Sequence, residues 1–250
     1  MGIYSTKVTL LYGGRVLANV VHPAELESAE CAGKKAIDKA MKISGISKNS
    51  YYTVVTGQGK SLIPSADETI SDGVCLARGI YELMPSVHTI LDLGIQKSLA
   101  VKCSGGYPNK IISNDKCASG AGSFLQVVSD VLEIPVERMG EISLKSTEAV
   151  EINSTCAVFA ESEIISLLHT GKKLEDILGG VYQSLAMRLY SLLLRVGIDR
   201  ELALVGGIAK DKGLGQAIEA QIGHKILVPE QALFVGSLGA AIIGQEKVGA

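Results

Sequence analysis

"DLGIQKSLAVKCSGGYPNKII", residues 92–112, decides how the chain is organised. An acid precedes a glycine, β-branched and apolar residues follow, and the pair Gly105-Gly106 sits where two short strands would turn back on each other. The same layout opens the chain. In "GIYSTKVTLLYGGRVLANVV", residues 2–21, Gly2-Ile3 lies 92 positions before Gly94-Ile95, and Gly13-Gly14 lies the same 92 positions before Gly105-Gly106. One offset at both ends of a hairpin predicts two related β-hairpin units, each opening with a glycine turn whose bare N–H groups suit a phosphate. Two unrelated hairpins with ordinary turns are the alternative. The offset places the counterpart of Asp92 one residue ahead of Met1. The expectation is that an Asp and a few strand residues precede Met1 in the natural protein, or that this copy has lost its acid.

Composition narrows the function classes. The chain has 250 residues, 47% of them hydrophobic and 20% charged, enough for one large domain or two modest ones with real cores. Apolar runs such as "VGSLGAAIIG" are too short and too glycine-rich to cross a bilayer, and the N-terminus lacks a basic segment followed by an apolar one. The expectation is a soluble, cytoplasmic protein without membrane partners. Net charge is −2, and three Phe, eight Tyr and no Trp leave little to stack on bases, so no nucleic-acid partner is expected. Five cysteines, an odd number, argue against a disulfide framework and leave thiol, metal or core roles.

Between the hairpins, small and apolar residues at helical spacing (Ala29, Ala36, Ile37, Ala40, Met41) predict a helix that stops near Gly45. "YYTVVTGQGKSL" reads as a strand entering a glycine loop, Gly57 and Gly59, followed by Lys60; a tight strand exit explains these glycines as well as a ligand does. "VHTILDLG" is a short strand that delivers Asp92 to a loop, either as a magnesium-binding or water-orienting carboxylate or as a cap.

Downstream, Phe124, Val127, Val128, Val131 and Leu132 form one apolar helical face stopped by Pro135, which puts Cys117 just before a helix. In "NSTCAVFAESEIISLLHTG", Asn153, Ser154 or Thr155 is expected to cap a helix running to about Gly171, with Cys156 in its first turn. Helix starts favour thiolate over thiol. A lone cysteine is commonly a small core residue, but the parallel placement of these two points to ligation. Two thiolates do not complete a tetrahedral metal site or a four-iron cluster; if the pairs of two chains meet on a two-fold axis, a symmetric dimer would hold one cluster between subunits. Cys31, Cys75 and Cys103, in two helix patterns and a hairpin, are read as non-ligands.

"ELALVGGIAKDKGL" is a strand ending in Gly206-Gly207, and "FVGSLGAAIIGQ" is a glycine-rich helix entry containing Gly236; both suit close backbone approach to a nucleoside. The helix before them is apolar on more than one face and expected to be buried, so Arg188 and Arg195 are given no chemistry. Glu161 and Glu163 read as solvated helix positions. His88, His169 and His224 fall in no triad or metal spacing, and His22 precedes a proline in a loop.

"NDKCASGAGSFL", "INSTCAVFAESEIIS", "LVGGIAKDKGL" and "GSLGAAIIG" closely resemble the ATP-dependent activators of 2-hydroxyacyl-CoA dehydratases and the related ATP-binding subunits of benzoyl-CoA reductase. The resemblance spans essentially the whole chain. It implies an α/β fold of duplicated RNase H-like domains, the actin, Hsp70 and acetate kinase superfamily, with a central nucleotide cleft. The expected division is an N-terminal RNase H-like subdomain over 1–88, its first strand truncated, and a C-terminal one over 89–250 that carries the cluster cysteines, its last helix packing back on the first.

The resemblance further implies ATP/ADP and Mg²⁺ at Gly2, Lys7, Gly57, Gly59, Gly94, Gln96, Gly206, Gly207 and Gly236, with Asp92 catalytic. It implies a 4Fe-4S cluster on Cys117 and Cys156 shared between two protomers, a homodimer rather than a heterodimer. The implied work is to take an electron from ferredoxin or flavodoxin and deliver it, driven by ATP, to an acyl-CoA dehydratase or reductase. The chain departs from the family at both phosphate motifs. The first, Asp-x-Gly-Ser-x-x-x-Lys, keeps Gly2 and Lys7 but lacks the Asp and has Ile3 for Ser; the second, Asp-Ile-Gly-Gly-Gln-Asp, reads Asp92-Leu93-Gly94-Ile95-Gln96-Lys97. These changes bear on hydrolysis more than on binding. They keep a non-hydrolysing nucleotide- and cluster-binding subunit or sensor, paired with a homologue, as the alternative. A small-molecule kinase on the same fold is disfavoured, because it leaves the paired cysteines idle.

Overall fold

A computed structural model of the chain describes residues 1–2, 5–23, 27–46, 51–114, 120–152 and 156–249. They pack as two compact units. One comprises Met1–Ile90, Val101–Lys110 and Pro229–Ala250; the other comprises Leu91–Ala100 and Ile111–Val228.

The first unit opens with a hairpin of β1 (Ser5–Tyr12) and β2 (Arg15–Pro23), antiparallel with Tyr12 opposite Arg15 and an irregularity between Leu10 and Leu11. Gly13 and Gly14 both take positive φ, +56° and +74°, which a two-residue turn matched to strand twist requires. Helix α1 (Ala29–Ser44) starts at Ser28, whose Oγ accepts from the Cys31 N–H at 3.2 Å, and ends at Gly45 in the left-handed region. Its Ala40 joins Ala18 and Val20 of β2 in a small core, with Val8 and Leu10 packed against it. Short parallel strands β3 (Val54–Val55) and β4 (Glu68–Thr69) lead into α2 (Asp72–Leu83).

The last helix, α8 (Val235–Val248), crosses α2 at backbone contact. A Cβ on Gly79 would collide with the Val235 carbonyl, and one on Gly239 with the Cys75 carbonyl. Two glycines therefore set the spacing, and Arg78 fastens the outer edge by donating from Nη2 to Glu246 Oε1 at 2.7 Å.

Strands β5 (Thr89–Leu93), β6 (Ser98–Ser104), β7 (Tyr107–Ser113) and β8 (Leu202–Gly206) form a four-stranded sheet in the order β7-β6-β5-β8. In the second unit, helices α3 (Ala121–Leu132), α4 (Val136–Ser143), α5 (Ala157–His169), α6 (Leu174–Val196) and α7 (Lys212–Ile222) follow. Phe124, Leu125, Ile164, Ile177, Leu178 and Leu185 are fully buried among them, each worth about 1.5–3 kcal/mol of transfer free energy. Among the described residues, α6 alone is long and apolar enough to cross a membrane. It is instead a core helix, with 61% of its apolar window inside the protein, and Gly179 and Gly180 let Ser146 and Val150 lie directly on its backbone.

Candidate functional site

In the second unit, β5 and β8 are sheet neighbours, and their C-terminal ends bring together Asp92, Gly94, Gln96, Gly206 and Gly207. Asp92 is the penultimate residue of β5 and half-buried. Gly206 ends β8 with φ +97°, and a Cβ there would lie 2.5 Å from Asp92 Oδ1 and 2.6 Å from the Leu93 carbonyl oxygen. Only glycine meets both demands. The chain then turns: the Gly94 N–H donates to the Lys97 carbonyl at 2.9 Å, leaving Gln96 exposed at the apex. Gly207 is exposed, with open space around its Cα. A carboxylate beside a narrow turn and a strand end stripped of side chains can accept a polyphosphate backbone and hold a cation or a water.

This turn is also joined to α3. The Gly122 N–H donates to the Gly94 carbonyl at 3.3 Å, while the Ser123 N–H and Oγ both donate to the Ile95 carbonyl at 2.9 Å. Gly120, the N-cap of α3, lies so close that a Cβ would be 2.5 Å from the Gln96 carbonyl carbon. On the other side, Asn114 Oδ1 accepts from the Ser98 N–H at 2.8 Å, and the Asn114 N–H donates to the Ser98 carbonyl at 3.3 Å.

In the first unit, the Gly2 N–H donates to the Ser5 carbonyl at 3.0 Å and Lys7 Nζ lies 3.5 Å from where a Gly2 Cβ would be. Gly57 and Gly59 pack on Met1: the Met1 amine donates to the Thr56 carbonyl, the Gly59 N–H donates to the Met1 carbonyl at 3.3 Å, and a Cβ on Gly57 would collide with that carbonyl. The Gly57 N–H also donates to Asp72 Oδ1 at 3.1 Å, with Lys60 Nζ 3.9 Å from the same oxygen. Thus Gly2, Lys7, Gly57 and Gly59 share one neighbourhood. Gly236 lies in the first turn of α8, where an added Cβ would stand 3.8 Å from the Leu76 side chain of α2.

Cys156 is half-exposed and is the N-cap of α5, in extended backbone (φ −90°, ψ 130°) and making no capping hydrogen bond through its side chain. This corrects the expected first-turn position: the helix begins one residue after the cysteine. Val158 and Phe159 beside it are 68% and 69% exposed, an apolar surface next to a thiol at the positive end of a helix. That setting fits a thiolate ligand. Cys117 lies outside the described residues. The other thiols are set differently: burial pushes Cys75 up to about 11, and the Glu27 carboxylate pushes Cys31 up. Among the described residues, no group of three or more His, Cys, Asp or Glu side chains is gathered for a metal.

Sequence reasoning also missed features. His22 is in strand β2 rather than a loop, and its Nε2 lies 2.8 Å from Glu27. The clasp formed by Ser98, Asn114 and Ser123 carries no sequence signature, because serines and asparagines at loop ends are common and the pairing is set by the sheet.

The chain is 37% identical over 250 residues to the activator of lactoyl-CoA dehydratase of Anaerotignum propionicum, covering 98% of this chain and 95% of that protein. The crystal structure of component A of the Acidaminococcus fermentans (R)-2-hydroxyglutaryl-CoA dehydratase superposes with a TM-score of 0.94 at 33% identity, over 100% of this chain and 97% of that one. The Clostridium difficile activator of 2-hydroxyisocaproyl-CoA dehydratase with bound ADPNP superposes at 0.90 with 34% identity, over 100% and 93%. The duplicated RNase H-like α/β architecture is thereby identified. With residues 4–244 matching the sequence pattern of the family as well, the chain belongs to the BadF/BadG/BcrA/BcrD ATPase family.

Proposed function

We propose that the protein is an ATP-dependent reductive activator of an acyl-CoA dehydratase or reductase. It binds ATP or ADP with Mg²⁺, takes an electron from ferredoxin or flavodoxin, and delivers it to its partner enzyme. The observation that carries this reading is the joint end of β5 and β8, where the Asp92 carboxylate, the Gly94–Lys97 turn and Gly206 meet. The similarity to dehydratase activators, one of them bound to ADPNP, supports the ligand and the partner class.

In this reading the N–H groups of the Gly94 turn face the phosphates, and Asp92 orients a hydrated Mg²⁺ or the attacking water. Gly206 and Gly207 admit the nucleoside side, with Gly236 assigned to the same role. Gly2, Lys7, Gly57 and Gly59 serve a second phosphate-facing segment. Cys117 and Cys156, with the same pair from a second copy, would hold a 4Fe-4S cluster; such a cluster supplies one-electron storage when bound. The exposed Val158 and Phe159 beside Cys156 are the surface that a second protomer would cover. RNase H-like subdomains over 1–88 and 89–250 and a cytoplasmic location complete the proposal.

Lys97, at the position of the family's second acid, favours one other reading, a non-hydrolysing nucleotide- and cluster-binding subunit paired with a homologue. The test is anaerobic purification followed by iron and acid-labile sulfide assay and steady-state ATPase with Mg²⁺. The expected result is about two irons per protomer, lost in both Cys117→Ala and Cys156→Ala, together with ATP turnover. Iron without turnover selects the non-hydrolysing reading. Neither iron nor turnover overturns both.

A further inference from the structure

A cavity of about 430 Å³ opens in the first unit, walled by the turn end of the β1–β2 hairpin, the second half of α2 and one face of α8. None of the residues assigned to nucleotide or metal lines it. Its shape follows from local structure. Past the irregularity between Leu10 and Leu11, Leu11 becomes the cross-strand partner of Val16, so the two side chains share one face. Leu83 of α2, with Leu238 and Ile242 one turn apart on α8, completes an apolar wall. A volume above about 300 Å³ is the size that small-molecule sites take.

Charge narrows the ligand. Arg78 donates from Nε and Nη2 to the same Glu246 oxygen, at 3.0 Å and 2.7 Å, whereas its Nη1 stays 3.6 Å from Glu82 Oε2, too far for a hydrogen bond. Two carboxylates thus share one guanidinium, and the lining carries one uncompensated negative charge. The Glu82 and Glu246 side chains are 52% and 56% exposed, so that charge stands at the rim, while Leu238 and Ile242 are buried. Gln231, also in the lining, adds a carboxamide oxygen that accepts no hydrogen bond. An anion would have to unseat Glu246 from Arg78, and a neutral hydrocarbon would leave the rim charge unanswered. An apolar wall with an acidic rim is the complement of an aliphatic stem with a cationic head.

We propose that this cavity binds a small linear alkyl cation, an aliphatic chain ending in an ammonium. The stem lies along Leu11, Val16, Leu83, Leu238 and Ile242, and the head pairs with Glu82.

The test is methyl NMR titration of the full chain, at fixed ionic strength, with butylamine, pentylamine and hexylamine. Hexanol and hexanoate serve as the neutral and anionic probes. The Leu83, Leu238 and Ile242 methyls should shift saturably with hexylamine, with a Kd of about 1 mM or tighter. Each added methylene should tighten binding about fourfold, the worth of one buried CH₂. Hexanol should bind about threefold more weakly than hexylamine, and hexanoate should not saturate. Glu82→Gln, at an exposed position, should bring hexylamine down to the level of hexanol and leave hexanol unchanged. Val16→Phe, which adds bulk to the wall, should weaken every probe; circular dichroism checks the fold of both variants. Equal affinities for butylamine and hexylamine, hexanoate binding as well as hexylamine, or amine affinity unchanged in Glu82→Gln would overturn the proposal. So would tighter binding of N-acetyl-lysine N-methylamide than of butylamine, which assigns the cavity to a lysine of a partner protein instead.

Discussion

Gly206 and Asp92 touch across the ends of two neighbouring strands, close enough that a Cβ on the glycine would lie 2.5 Å from the carboxylate oxygen. Gly206→Ala is therefore expected to act twice. A side chain at φ +97° costs about 1–3 kcal/mol of stability, and the carboxylate must move from its place beside the turn. Gly207→Ala, next in sequence with open space around it, should change stability by no more than about 0.5 kcal/mol. Urea unfolding and steady-state ATPase on the pair check this. Equal effects from both would refute the contact.

If Asp92 acts on the cation or water rather than on ground-state binding, Asp92→Asn should lower ATP turnover by about a hundredfold or more. ADPNP affinity should fall far less, by under about tenfold. Turnover at the wild-type rate, measured under saturating Mg²⁺, would remove Asp92 from the chemistry.

Tyr182, 2% exposed on α6, donates its hydroxyl to Asp211 Oδ2 at 2.7 Å, while Asp211 Oδ1 caps α7 by accepting from the Leu214 N–H at 3.1 Å. Burial holds the Tyr182 phenol well above its ordinary range, so it remains a donor. Tyr182→Phe removes one donor and almost no volume. The expected loss is about 1–3 kcal/mol, the cost of an oxygen left without its partner, read as a lower urea midpoint with an unchanged slope.

Asp176, buried at the start of α6, accepts on one oxygen from the Glu148 and Thr147 N–H groups at 3.0 Å each and from Ser146 Oγ at 2.9 Å. The Glu148 N–H above all, helped by the Ser146 hydroxyl and the Thr147 N–H, holds its carboxyl below the usual range although burial opposes this. A group depressed in the folded state contributes stability that is fully present above its unfolded pKa of about 4 and is lost as pH falls through the lower folded value. Thermal melts of wild type should drop over that acid window. Asp176→Asn, which keeps an acceptor oxygen, should flatten part of the drop, whereas Asp176→Ala should lower the melting temperature at all pH values. An acid limb identical in Asp176→Asn would show that other groups produce it.

The hairpins and their turns were legible because Gly13-Gly14 and Gly105-Gly106 are read from two residues each, and the four glycines do take positive φ. Helix α1 was equally legible: small residues at helical spacing mark its buried face and Gly45 its end. Short-range rules failed where the decisive partner is distant in sequence. The start of α5 was misplaced by a residue because Asn153, Ser154 and Thr155 are all better caps by type than cysteine. Helix α4 was not anticipated, since Pro135 reads as the end of one helix and is also the N-cap of the next. In the candidate site, Asp92, Gly94 and Gly206 were picked out separately by local pattern. Their meeting depends on β8 pairing with β5, more than a hundred residues away in the chain, which no local pattern encodes.

The glycine crossing of α2 and α8 has a consequence for biosynthesis. The first unit cannot close until the ribosome has made its last helix, so the half of the protein translated first is completed last, after every residue of the second unit. At 5–20 residues per second that wait is on the order of ten seconds, during which the face of α2 that meets α8 stays bare. Limited proteolysis reads the delay: nascent chains arrested before residue 229 should be cut within α2, and released chains should not.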